Sequence, residues 1–166
     1  TMGHGTVLTR RAQYQEATSE IATLVSKGFI QGKMMNQRNL VHYWMLNRTR
    51  TDPQVSSRLS PRVDTIELLL KELDRVKGPL TDMIRLQLMN IEGRAASEYW
   101  SGVKDILPSE YSFTGRVTRG ADDLVNMMLN YGYGILYSEI WSAVTTAGLD
   151  PFAGFLHVDR PGRPSL

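Results

Sequence analysis

From Arg11 to Arg48 the chain runs without a proline, and apolar residues such as Ile21, Leu24, Val25, Phe29, Leu40, Val41 and Trp44 recur at three- and four-residue steps. That spacing is the repeat of an α-helix, in which every third or fourth side chain returns to one face. No alternating apolar and polar run of useful length occurs anywhere in the 166 residues, which argues against a sheet of half-buried strands. The fold class expected is all-α: a multi-helix domain with a short irregular or strand-like segment near its C-terminal end.

Punctuation residues divide the helical pattern. Gly28 and Gly32 each weaken a helix by about 1 kcal/mol relative to alanine, so the first stretch reads as two helices, or one bent helix, meeting around Lys27 to Lys33. Thr51-Asp52-Pro53 ends it. A second helix is expected from Ser60-Pro61, where proline suits a first turn, through Ile66, Leu69, Leu70 and Leu73 to the stop at Gly78-Pro79. A third runs from Leu80 to Ile106 and ends at Leu107-Pro108. After the polar connection from Ser109 to Gly120, Asp122 and Asp123 open a fourth that continues to Gly148, with Leu124, Met128, Tyr131, Ile135 and Val144 as its stripe. Beyond Pro151 the short apolar run Phe155-Leu156-His157-Val158 and the nonhelical Arg160-Pro161-Gly162-Arg163-Pro164 predict a structured loop. Residues 1–12 read as the remnant of a linker from a preceding β domain, and 13–166 as one helical domain.

Several function classes are disfavoured by what the chain lacks. It has no cysteine, hence neither a disulfide framework nor a thiolate metal site. No apolar stretch approaches the roughly 18 residues of a membrane span, and the start of the chain lacks the apolar core of a signal peptide, so a cytoplasmic location is expected with no membrane partner. Net charge is only +2, but its distribution is uneven: Thr1 to Arg62 holds 9 Lys and Arg against 3 Asp and Glu, and Val63 to Ser112 holds 6 against 9. Such a basic portion could meet a polyanion or simply be a solvated helix surface.

Two titratable residues are unusual in their settings. Glu92 lies mid-helix beside Ile91 and the small residues Gly93, Ala95 and Ala96, which either leave room for a ligand or let another helix pack closely. His157 sits within an apolar segment followed by two arginines, as a metal ligand or a hydrogen-bonded structural residue would.

The strings that contain these residues resemble a known family. Ile91-Glu92-Gly93-Arg94-Ala95-Ala96-Ser97-Glu98-Tyr99-Trp100 comes first, then Phe113-Thr114-Gly115-Arg116. Asp123-Leu124-Val125-Asn126 follows with Leu129-Asn130-Tyr131-Gly132-Tyr133-Gly134, and last Ala147-Gly148-Leu149-Asp150-Pro151 leads to Gly154-Phe155-Leu156-His157. These four ordered blocks look like the signatures of the CRISPR adaptation integrase, and the upstream Lys27-Gly28-Phe29-Ile30-Gln31-Gly32-Lys33 with Asn36-Gln37-Arg38 is similar to the first helix of that family's C-terminal domain.

The resemblance implies a divalent-metal-dependent DNA endonuclease and integrase that inserts spacers into a CRISPR array by 3′-hydroxyl transesterification. Glu92 and His157 map onto the family's glutamate and histidine ligands, and Mn²⁺ or Mg²⁺ suits such oxygen and imidazole donors better than zinc. The family's second carboxylate falls beyond Leu166, so the helical domain is expected to be incomplete at its C-terminal end and to hold metal weakly. Asp159 does not occupy that place. Arg94, Arg116, Arg119, Arg160 and Arg163 are expected phosphate contacts, with solvated surface arginine as the alternative for each. Tyr133 resembles a tyrosine the family places near its active site; core packing is the competing reading, and the preferred one for Tyr131. Asn126 and Asn130, one turn apart, could bind DNA or cap a neighbouring helix.

The partners implied are double-stranded DNA (prespacer and CRISPR repeat), a second copy in the full-length homodimer, and the small ferredoxin-fold adaptation protein. Two alternatives remain open: a related transposon integrase, or a noncatalytic helical module gripping nucleic-acid phosphate through Lys33, Arg38, Arg48 and Arg50.

Overall fold

The computed structural model describes residues 4–166, side chains from residue 7 onward, and is 68% helical with no strand among the described residues. Five α-helices follow in order: α1 (His4–Gln15), α2 (Glu20–Arg48), α3 (Val55–Asp74), α4 (Asp82–Ile106) and α5 (Leu124–Thr146), with one 3-10 turn at Ser109–Tyr111. The all-α expectation holds. The loop after Pro151 is irregular, and Arg160 and Arg163 form an isolated antiparallel bridge within it. Among the described residues no helix is long and apolar enough to cross a membrane.

Local chemistry accounts for four of the helix ends. Ser19 Oγ accepts from the amides of Ile21 and Ala22 at 3.1 and 3.3 Å, so it caps α2. Thr81 Oγ1 accepts from the Ile84 amide at 3.3 Å at the start of α4, and Asp123 Oδ1 from the Asn126 amide at 2.8 Å at the start of α5. Gly148 stops α5 at φ +80°, where the left-handed turn lets the Leu149 amide reach Val144 O at 3.1 Å.

Four boundaries differ from the sequence reading. The stretch 1–12, read as linker, is helical from His4, while Thr1, Met2 and Gly3 lie outside the described residues. Its anchor is remote: the buried Gln13 amide donates to Asp150 O and Ala153 O at 2.8 and 2.7 Å and accepts from the Asp150 amide at 2.8 Å. The run from Arg11 is divided at the Ser19 cap. α2 then continues unbroken through Gly28 and Gly32, so the helix tolerates their low propensity. α3 starts at Val55, and Pro61 lies inside it, because Val55 and Leu59 are fully buried and draw the preceding turn into the helix.

The described chain divides into two compact units. One takes the residues up to Phe29, Val76–Met89 and Gly132–Leu166; the other takes Ile30–Arg75 and Asn90–Tyr131. In the second, Val41, Val55, Leu59 and Val63 form an apolar cluster against which Trp44, Met45, Tyr99 and Ile106 pack. Each fully buried aliphatic side chain of this kind contributes about 2 kcal/mol. In the first, the buried apolar residues are Ala22, Val76, Leu80 and Leu88.

Two expected stripes are turned to water over much of their length. On α2, Ile21, Leu24 and Phe29 of the stripe are exposed while its Val41 is buried, and the buried positions are Ala22, Thr23, Ser26, Ile30, Met34 and Val41. On α5, Leu124, Met128, Tyr131 and Ile135 are exposed and Asn126 is the buried residue. Tyr131, read as core, is 75% exposed.

Candidate functional site

The second unit presents Glu92 from the middle of α4. Ile91 and Ala95 are buried on either side of it, while Gly93 faces open space, with nothing within 4 Å of where a Cβ would lie. Close approach of another helix therefore does not account for Gly93. Glu92 Oε1 accepts a hydrogen bond from Lys33 Nζ of α2 at 2.6 Å.

That pair belongs to a set of cross-helix ion pairs in the same unit. Arg38 Nε donates to Glu67 at 2.9 Å, Arg94 Nη1 to both oxygens of Glu72 at 3.1 and 3.0 Å, and Arg62 to Glu98 and Asp105 at 3.1 and 2.9 Å. The hydrogen bonds from Arg38 hold the Glu67 carboxyl below the usual carboxylate range. Arg48 Nη1 reaches Ile106 O at 2.7 Å. Of the four basic residues read as a phosphate grip, Lys33, Arg38 and Arg48 are thus engaged within the protein, and Arg50 is exposed.

Around the loop before α5, an aromatic series runs Trp44, Tyr99, Trp100, Phe113 with ring centroids 6.0, 4.8 and 6.3 Å apart. The Arg116 guanidinium lies 5.9 Å from the Trp100 ring centroid, within cation–π reach. Asn126, fully buried, ties this loop to α5: Nδ2 donates to Gly115 O at 2.8 Å and Asp123 Oδ2 at 2.7 Å, and Oδ1 accepts from the Val117 amide at 2.9 Å and Arg116 Nη1 at 3.2 Å. These bonds from Asn126 hold the Asp123 carboxyl below its usual range. Asn130 Nδ2 donates to Thr118 O at 3.2 Å. The asparagine pair is a loop clasp in this structure. Arg119 is exposed on the same loop.

In the first unit His157 is exposed on the irregular C-terminal segment, as are Arg160 and Arg163. The backbone leading to His157 is held on two sides. Arg85 of α4 donates Nε and Nη2 to Phe155 O, each at 3.3 Å, and the buried Ser165 hydroxyl accepts from the Gly154 amide at 2.9 Å and donates to Asp159 Oδ1 at 2.8 Å. A cavity of about 440 Å³ opens beside the segment, lined by Tyr14, Asp150, Phe152, Asp159 and Arg160 among others. There the Tyr14 hydroxyl donates to Asp150 Oδ2, which holds the Asp150 carboxyl down and pushes the Tyr14 hydroxyl up. Tyr133 of α5 is half exposed.

Glu92 therefore stands in one unit and His157 in the other, and among the described residues no group of three or more His, Asp or Glu is arranged to hold a metal ion. The donor types remain those of a hard divalent cation, and at Glu92 a positive charge already faces the carboxylate. Arg85, Gln13 and the pairing of Lys33 with Glu92 have no local sequence signal, since each acts across a large chain separation.

Residues 1–166 match the profile of the family described as CRISPR associated protein Cas1. The chain is similar to CRISPR-associated endonuclease Cas1 1 of Archaeoglobus fulgidus, 42% identical over 168 residues that cover 98% of this chain and 49% of that protein. It is also similar to CRISPR-associated endonuclease Cas1 of Hyperthermus butylicus, 38% identical over 97% of this chain and 46% of that one. The chain spans about half the length of these curated relatives. A solved structure titled Partial Cas6-RT-Cas1--Cas2 complex aligns with a TM-score of 0.75 and 25% identity, over 95% of this chain and 43% of that one.

Proposed function

The chain belongs to the CRISPR-associated Cas1 family, and from that premise we propose that it serves as the helical catalytic part of a divalent-metal-dependent DNA endonuclease and integrase that inserts spacer DNA into a CRISPR array. The observation that carries this reading is the family match over residues 1–166.

In the proposed reaction a DNA 3′-hydroxyl oxygen attacks a phosphodiester in the repeat. A new P–O bond forms, the P–O bond to the leaving strand breaks, the attacking hydroxyl gives its proton to solvent, and the leaving oxygen takes one from solvent to become a hydroxyl. Glu92 and His157 are the proposed ligands of Mn²⁺ or Mg²⁺, which, when bound, lowers the pKa of the attacking hydroxyl and balances charge on the phosphorus. Arg94, Arg116, Arg119, Arg160 and Arg163 present guanidinium groups to backbone phosphate, and Tyr133 approaches the scissile region. In this structure Arg94 faces Glu72, and Arg116 stacks on Trp100 and bonds Asn126. Arg119, Arg160 and Arg163 are exposed, which supports them as first contacts. The partners proposed are double-stranded prespacer and repeat DNA, a second copy of the full-length protein, and a small ferredoxin-fold adaptation protein of the Cas2 kind. The aligned solved assembly pairs a Cas1 region with Cas2, which supports the last of these.

Glu92→Ala and His157→Ala should each lower Mn²⁺-dependent strand transfer by about a hundredfold or more while DNA retention on a gel stays intact. Unimpaired transfer by either variant would refute the site. Salt-sensitive DNA binding with no divalent-ion-dependent cleavage or joining would favour a noncatalytic module instead. Joining to transposon ends in place of a repeat would identify a transposon integrase.

A further inference from the structure

The contact on Glu92 differs in kind from the other ion pairs. The Glu92 side chain is 21% exposed, less than the carboxylates paired with Arg38, Arg58, Arg62, Arg85 and Arg94, at 24–92%. Its partner is a lysine, whereas Glu67, Asp52, Glu98, Asp105, Asp82 and Glu72 are paired with arginines. A guanidinium engages a carboxylate through a rigid planar fork, whereas an ammonium is a compact, strongly hydrated point charge on a flexible stem. On one carboxylate oxygen, an ammonium therefore takes the position a hydrated divalent cation would take. The Lys33 side chain is 48% exposed, so it can swing into water without uncovering the core, and the open space beside Gly93 leaves the approach to the helix face clear.

We propose that Lys33 is the placeholder cation of Glu92. It neutralises and orients the carboxylate while no metal is present, and it is displaced from Oε1 when a divalent cation binds, so that it sets metal affinity by competition. The proposal rests on the reading of Glu92 as a metal ligand given above. A partly exposed pair of this kind is worth at most about 1 kcal/mol, which corresponds to a factor of about five in affinity.

The test is Mn²⁺ binding to the full chain, followed at constant ionic strength by electron paramagnetic resonance of the free ion. Lys33→Met should tighten the Kd by about two- to fivefold. Lys33→Arg should not tighten it. Arg38→Met removes the same charge from the same helix and should give less than half the effect. No tightening in Lys33→Met, or an equal shift in Arg38→Met, overturns the placeholder role. Glu92→Gln separates the two layers of inference: if it loses Mn²⁺ while Lys33→Met leaves the Kd unchanged, only the placeholder fails. If Glu92→Gln binds Mn²⁺ like the unaltered chain, or the unaltered chain binds none, the ligand reading fails and the placeholder with it. Thermal melting of each metal-free variant confirms that the helices are retained.

Discussion

A single buried amide at Asn126 makes four side-chain hydrogen bonds and joins the loop before α5 to the helix itself. Asn126→Leu removes both donor and acceptor at a site with no solvent access, so the Val117 amide and Gly115 carbonyl lose their partner. The expected cost is about 2–4 kcal/mol, read as a lowered urea midpoint with an unchanged slope; a loss under about 0.5 kcal/mol would deny the clasp. Gly154 is constrained differently. A Cβ there would stand 2.0 Å from Ser165 O, so Gly154→Ala must push the two segments apart and break the amide-to-hydroxyl bond that links them. Limited proteolysis should then cut within residues 150–166 faster than in the unaltered chain, and equal rates would show that the loop absorbs the methyl. Neither role is legible locally, because the partners of Gly154 lie 11 residues away and those of Asn126 in a loop without a helical or strand repeat. Glu92 and His157 stood out only weakly by pattern; the four ordered motif blocks singled them out.

The helices were legible where a capping group or a glycine marks an end, as at Ser19, Thr81, Asp123 and Gly148, and less so where packing decides. Pro61 shows why. Its ring suits a first turn, yet the apolar register Val55, Leu59, Val63, Ile66, Leu69, Leu73 carries α3 back beyond it. The helix thus contains a residue that cannot donate to the carbonyl one turn earlier. Pro61→Ala is expected to stabilise the chain by about 1–2 kcal/mol, the restored hydrogen bond outweighing the added freedom of the unfolded state. A lowered melting midpoint would instead show that the proline ring is needed where it sits. α5 makes the complementary point. An apolar stripe states which residues share a face, but burial depends on what lies opposite, and from Tyr131 to Ile140 every residue of this helix is exposed.

Across the whole molecule, Asp52, Glu67, Asp123 and Asp150 share one electrostatic condition: each carboxyl is held below its usual range, chiefly by a side-chain hydrogen bond from Arg58, Arg38, Asn126 and Tyr14 respectively. A depressed folded-state pKa means that the unfolded chain takes up protons first. Stability from these groups is therefore complete above the ordinary carboxylate range and is lost as pH falls through the folded values. The melting midpoint should fall steeply below about pH 4, and a midpoint flat from about pH 5 to about pH 3 would contradict these contacts. The same ion pairs bear on how a polyanion is held. When Arg94 exchanges Glu72 for a phosphate, one charge pair replaces another and little condensed counterion is set free on balance, whereas Arg119, Arg160 and Arg163 displace it directly. The logarithmic salt dependence of DNA affinity should then have a slope magnitude below the roughly 4.5 that five arginines per chain would give.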